Sequence, residues 1–147
     1  STYAPIRWDF SDLEAVVLCP SNPYHSIRPI LEVNGMKEVL KRCGAPVIAV
    51  TPIIGGQALK GSAAKMMREL GRDMSARSVA MEYLRIIDGF VLDHTDAELG
   101  DGIAASGIRV TSAKTIMRSV DDRIALAQAV LDFAQKVRDA KALEQEA

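Results

Sequence analysis

Four short apolar runs, each closed by a loop or turn residue, constrain this chain more than any other feature. They are Ala15–Cys19, Pro46–Thr51, Gly89–Asp93 and Ile108–Thr111. The first is continuously apolar, as expected of a strand with both faces covered by helices in a parallel sheet. Helix signals fill the gaps. A helix is expected from Gly35 to Cys43, closed by Gly44 in a left-handed cap. Ser62 can cap a second that runs to Leu70 and stops at Gly71, and Ser75 a third that runs through Ile87. Thr95-Asp96-Ala97-Glu98 has the capping-box pattern and opens a helix ending near Gly107, weakened by Gly100 and Gly102.

Ser119, with Asp121 and Asp122 in the first turn, opens the last helix. Its expected sheet-facing stripe is Val120, Ile124, Ala127, Leu131 and Ala134. Strands spaced by helices of this length imply right-handed crossovers. The expected class is α/β, a Rossmann-like three-layer α/β/α fold with a mainly parallel sheet. Residues 1–14 read as a leader or trimmed boundary and 15–137 as one α/β unit. Residues 138–147, rich in alanine and charge, read as a fraying tail.

Composition narrows the function classes. Apolar residues make up 48% and charged residues 25%, with a net charge of −1. That balance argues against a nucleic-acid binder or a membrane-surface binder. No apolar run approaches the ~20 residues that span a bilayer. The segment from Ser1 to Ser11 lacks the layout of a signal peptide. Cys19 and Cys43 are the only cysteines, with no CxxC spacing, and read as reduced side chains of a cytoplasmic protein.

Two loops stand out because each follows a strand. In open α/β sheets ligands lie outside the carboxyl ends of the strands, so both loops should border one crevice. In Pro20-Ser21-Asn22-Pro23-Tyr24-His25-Ser26 the prolines stiffen a segment that offers Ser21, Asn22 and Ser26. The same residues would also serve an ordinary turn. His25 could donate to an anion or act as a base. The second loop runs from Thr51 through Gly55-Gly56 to Lys60-Gly61. Its glycines allow positive φ and close approach, and Lys60 brings charge beside a helix N-terminus. The order of a Walker loop is absent. Lys65, Arg68 and Arg72 share a helix face, with Lys65 nearest the loop. Asp93 ends a strand at the same edge, where it could meet a metal or a ribose, or simply form a turn. His94 follows it. No cluster has the spacing of a metal site, and no serine–histidine–aspartate elbow is present.

Several longer stretches carry a family resemblance. Leu18-Cys19-Pro20-Ser21-Asn22-Pro23-Tyr24-His25-Ser26-Ile27, Pro52-Ile53-Ile54-Gly55-Gly56, Lys60-Gly61 and Ala64–Gly71 resemble the 2-phospho-L-lactate transferase family. Asp88–Asp93, Thr115-Ile116-Met117-Arg118 and Asp122-Arg123 continue in register. Ser62 departs from the usual proline. Lys114 stands where an acidic or small residue is expected.

The resemblance implies an enzyme of coenzyme F(420) biosynthesis. Such enzymes join a phospholactyl or phosphoenolpyruvyl group, carried on guanosine diphosphate, to the deazaflavin Fo. GMP is released and Mg²⁺ assists. Substrate or phosphate contacts then fall to Ser21, Asn22, Ser26, Gly55, Gly56, Lys60, Gly61 and Lys65, with Thr51, His25, Arg68 and Thr115 as further candidates. No catalytic residue is assigned. The family is about twice as long as this chain, so the resemblance makes 15–137 a half-domain from the C-terminal half of a longer transferase, places the Mg²⁺ ligands in the N-terminal half, and expects the chain alone to be inactive. A homodimer is allowed. The alternative is a non-catalytic nucleotide- or UDP-sugar-binding module of the gluconeogenesis-factor type. Those proteins share the fold, but their second loop carries an Asn-x-Met-Thr-Gln pattern, not Pro-Ile-Ile-Gly-Gly.

Overall fold

The computed structural model describes residues 9–59 and 61–147. Strand β1 (Val16–Leu18) leads into a π-helical turn (Pro23–Ile27) and helices α1 (Arg28–Leu31) and α2 (Met36–Arg42). Strand β2 (Val47–Val50) is followed by two short strands, β3 (Ile53–Ile54) and β4 (Gln57–Ala58), then α3 (Gly61–Glu69) and α4 (Ala76–Glu82). Strand β5 (Gly89–Asp93), a 3₁₀ turn (His94–Leu99), α5 (Gly100–Ala104), β6 (Arg109–Ala113) and the long α6 (Val120–Glu146) complete the chain.

The main sheet has the order β1-β2-β5-β6, and every pairing in it is parallel. Alternate residues of β2 explain the layers. Val47 and Ala49 join one apolar cluster with Met36 and Leu40 of α2, Met67 of α3, Val79 of α4 and Ile103 of α5. Ile48 and Val50 face the other way, into a cluster with Leu126, Val130, Phe133, Ala134 and Val137 of α6. The result is the Rossmann-like α/β/α arrangement, with all three crossovers on one face and α6 on the other. Gly89 permits the close seating of α6. A methyl group there would lie 2.7 Å from Phe133 Cε1 and 2.8 Å from Ile48 Cδ1.

Local signals hold in several places. Gly44 takes a positive φ of 74° after α2. The hydroxyls of Ser75 and Ser119 accept from the N–H groups of Ser78 and Asp122, capping α4 and α6.

Other expectations are corrected. The segment after β5 is capped by Asp93, whose carboxylate accepts from Thr95 N–H, and it begins as a 3₁₀ turn instead of a helix capped by Thr95. Helix α3 starts at Gly61, which puts Ser62 inside its first turn. Helix α4 ends at Glu82, short of Ile87, and the chain turns at Tyr83 to enter β5.

The largest correction concerns α6. Of the expected stripe only Ala134 is buried, and Val120 and Ile124 are 64% and 62% exposed. The buried residues Leu126, Val130 and Phe133 lie one position before Ala127, Leu131 and Ala134. One position is about 100° of rotation around a helix. Residues 138–147 continue the helix to Glu146. Arg138 donates to the carbonyls of Leu13 and Glu14, Lys141 pairs with Asp88 at 2.9 Å, and Arg109 pairs with Glu144.

Candidate functional site

Five polar side chains are buried among the described residues, and all lie at or beyond the carboxyl ends of the main strands: Asn22, Thr51, Asp93, Asp96 and Thr115. Burying such groups is costly unless each is hydrogen-bonded. Each one is bonded, and the bonds build the edge.

Asn22 organises the first loop. Its side-chain oxygen accepts from Tyr24 N–H at 2.9 Å and His25 N–H at 3.1 Å, capping the π-helical turn. Its amide nitrogen reaches Ser62 Oγ at 3.5 Å, on the first turn of α3. This contact, across forty positions of sequence, brings the first loop to the end of the second. Ser26 and His25 are exposed and Ser21 half-buried.

The second loop is a hairpin, a feature absent from the sequence reading. Ile54 pairs with Gln57 across Gly55-Gly56, whose φ values are 57° and 73°. A two-residue connection with both φ positive is a type I′ turn, and glycine suits both positions. Thr51 starts it. Its buried hydroxyl accepts from Ile53 N–H at 3.1 Å and donates to Ile53 O at 2.8 Å, folding the chain out of β2.

Asp96 then ties the hairpin to the sheet, because its Oδ2 accepts from Gly55 N–H at 2.9 Å. Gly55 N–H is therefore spent within the protein, and a carboxylate stands beside it. An anion is better received at the start of α3, where Gly61 is exposed and the first-turn N–H groups of a helix have no partner within the helix itself. Lys60 lies outside the described residues. Lys65 and Arg68 are exposed on α3, with Lys65 at 3.8 Å from Glu69. Arg72 turns away to Glu82, at 3.4 Å.

Asp93 is a clamp. Its Oδ2 accepts from both the N–H and the hydroxyl of Thr115 at 2.9 Å, and Oδ1 accepts from Thr95 N–H at 2.9 Å. Burial alone would raise its pKa. The donated hydrogen bonds from Thr115 and Thr95 outweigh that and hold it at about 2. Nearby, Lys114 bonds Asp122 at 2.8 Å, and this bond with that from Arg118 N–H lowers the Asp122 carboxyl to about 2. The unusual lysine before Thr115 thus has a local partner. His94 Nδ1 lies 3.0 Å from Ser112 Oγ, beside a cavity of about 270 Å³ also lined by Lys114 and Asp122.

Among the described residues, no three histidine, cysteine or carboxylate side chains are grouped to hold a metal ion. Asp93 has both oxygens occupied and Asp96 has one on the hairpin. These residues do not fit an Mg²⁺ site. No described helix is long and apolar enough to cross a membrane.

The family model of 2-phospho-L-lactate transferase CofD matches residues 9–131, which contain both loops, the Asp93 clamp and most of the sheet. The chain belongs to the 2-phospho-L-lactate transferase family. It is 40% identical over 123 residues to the 2-phospho-L-lactate transferase of Methanocaldococcus jannaschii, covering 84% of this chain and 37% of that protein. It is 35% identical over 126 residues to the phosphoenolpyruvate transferase of Streptomyces griseus, covering 85% and 40%. The 2-phospho-L-lactate transferase of Methanosarcina acetivorans is 38% identical over 128 residues, covering 87% and 41%. The chain thus spans about two fifths of the length of these relatives.

Within this transferase family member, the two loops lie at one sheet edge as the sequence predicts, whereas Thr115, expected as a substrate contact, is buried with its hydroxyl bonded to Asp93. Asp96 is not legible as a tether from the sequence, where it fits only a capping-box pattern, because its partner Gly55 lies forty-one positions away.

Proposed function

We propose that this chain forms the acceptor and phosphate-holding part of a transferase. The reaction moves a phospholactyl or phosphoenolpyruvyl group from its guanosine diphosphate carrier to the terminal hydroxyl of Fo, releasing GMP. The observation that carries the reading is the contact of Asn22 with Ser62, which sets a rigid first loop against the N-terminus of α3. A hydroxyl attacking phosphorus needs positioning and charge stabilisation more than covalent help from the protein. The α3 N–H groups and Lys60 supply positive potential for the phosphate, and the Asn22 turn and Asp96-tethered hairpin hold the walls. Mg²⁺, when bound, neutralises phosphate charge. We place its ligands in the part of the relatives' length that this chain does not span.

The test is a chimera in which this chain replaces the matching segment of the Methanocaldococcus jannaschii relative. The folded chimera is expected to convert Fo, followed by chromatography. Lys60→Ala is expected to lower the rate at least ~tenfold with little change in melting temperature, the loss of one charge-assisted contact. A cooperatively melting chimera that leaves Fo unchanged, or a Lys60→Ala chimera at the full rate, overturns the reading. Calorimetry in which the chain prefers a UDP-sugar to guanosine nucleotides would move it to the binding-module class.

A further inference from the structure

A trough runs along the crossover-helix face, from the first loop at one end to the amino edge of the sheet at the other. Its central cavity, about 390 Å³, lies between α2 and the end of α4. A cavity of about 300 Å³ continues it toward Pro23 and Arg28, sharing Lys37, Glu82 and Ile86. Another of about 220 Å³ continues it toward the amino edge of the sheet, sharing Leu40, Lys41 and Arg85. The central volume falls in the range that small ligands occupy.

The lining has two characters. Leu40, Met81, Leu84 and Ile86 make it apolar, and Leu84 is 40% exposed, large for a leucine beside a cavity. Lys37, Lys41 and Arg85 supply three positive charges. None of the three has a carboxylate partner among the described residues. The one acid of the central lining, Glu82, is already engaged. Its carboxylate pairs with Arg28 at 2.9 Å and Arg72 at 3.4 Å, and accepts from Tyr24 O–H at 3.3 Å. Glu32 lines only the neighbouring cavity. Lys37, Lys41 and Arg85 are all exposed at the rim of one hollow, so their like charges repel one another with only solvent to screen them, and an anion there relieves that repulsion.

We infer that the trough between α2 and α4 binds a small amphipathic organic anion. Its apolar body rests on Leu40, Met81 and Leu84, and its carboxylate, sulfonate or phosphate group meets Lys37, Lys41 and Arg85. The ligand class follows from the lining: a purely inorganic anion leaves the leucines wet, and a neutral apolar molecule leaves the cations unpaired. The site is separate from the Asn22–Ser62 crevice and does not depend on the transferase reading.

The probe is 1-anilinonaphthalene-8-sulfonate, titrated into the whole chain and followed by fluorescence and by ¹H–¹⁵N shifts. One saturable site is expected, with shifts concentrated at residues 37–41 and 81–86. The Lys41→Glu/Arg85→Glu variant is expected to bind at least tenfold more weakly. Lys136→Glu, exposed on α6, serves as the charge control and should bind as the parent does. Urea unfolding of each variant confirms that the fold is kept. Non-saturable binding, shifts centred elsewhere, or equal affinity in the charge-reversed variant would overturn the proposal.

Discussion

The two ends of the main sheet are both fastened by aspartates, yet in different ways. At the amino edge, Asp88 accepts from Val47 N–H at 2.8 Å and pairs with Lys141 at 2.9 Å, where the lysine and aspartate side chains are 36% and 27% exposed. At the carboxyl edge, Asp93 and Asp96 are buried and bond backbone or hydroxyl donors, not lysines. An ion pair that water still reaches is partly screened and partly replaceable by water. A buried carboxylate that serves several donors leaves all of them unsatisfied when it is removed. The amino edge is therefore tied and the carboxyl edge is built. Rigid construction suits loops that must hold a ligand in place.

The sharpest way to break this contrast is at Asp93. Asp93→Ala strands the N–H and hydroxyl of Thr115 and the N–H of Thr95, and is expected to cost about 2–4 kcal/mol in urea unfolding. The parent should also show an acid limb. The folded pKa of Asp93, about 2, lies below its unfolded value near 3.8. Its stabilisation is thus complete above about pH 5 and drains as pH falls through 4 toward 2, a loss of order 1–2 kcal/mol after allowance for solvent screening. Asp93→Asn, measured over the same range, should flatten that limb. An unchanged acid limb would show that the clamp does not titrate as described.

Asp96→Ala tests the hairpin tether alone. A loss of about 1 kcal/mol is expected, with faster hydrogen exchange at Gly55 N–H and little change in the sheet amides. Protection at Gly55 equal to that of the parent would mean that the type I′ turn stands without its tether. The smallest effect belongs to the amino edge. Lys141→Ala should cost less than ~0.5 kcal/mol and less still in high salt. A loss as large as that at Asp93 would erase the distinction between the two edges.

Residue by residue, legibility followed the range of the interaction. The Ser75 and Ser119 caps and the Gly44 turn use partners within a few positions, so residue type and spacing were enough. Thr95 was misassigned because Asp93, two residues earlier, competes for the same role and wins by also reaching Thr115. Asp96 gave no local sign of its bond to Gly55. The α6 stripe failed for a different reason. This helix carries apolar residues all around, so Val120, Ile124 and Leu131 fit helical spacing as well as Leu126, Val130 and Phe133 do. Only the shape of the surface beneath could choose, and the bare backbone of Gly89, which accepts Phe133, belongs to that surface.

By itself the sequence determined the four strands, their parallel class, the two loops at one edge and the family. These follow from hydrophobic period, local turn chemistry and matched motifs, all of which act along the chain. That β1 leaves Val17 exposed on one face was not legible, because nothing local says the strand lies at a sheet edge. Tertiary structure alone decided which side of α6 is buried, that Gly55-Gly56 closes a hairpin held by Asp96, and that Asn22 meets Ser62. Those are contacts between residues far apart in sequence, where packing and the need to satisfy buried polar groups select one pairing among many that local pattern allows.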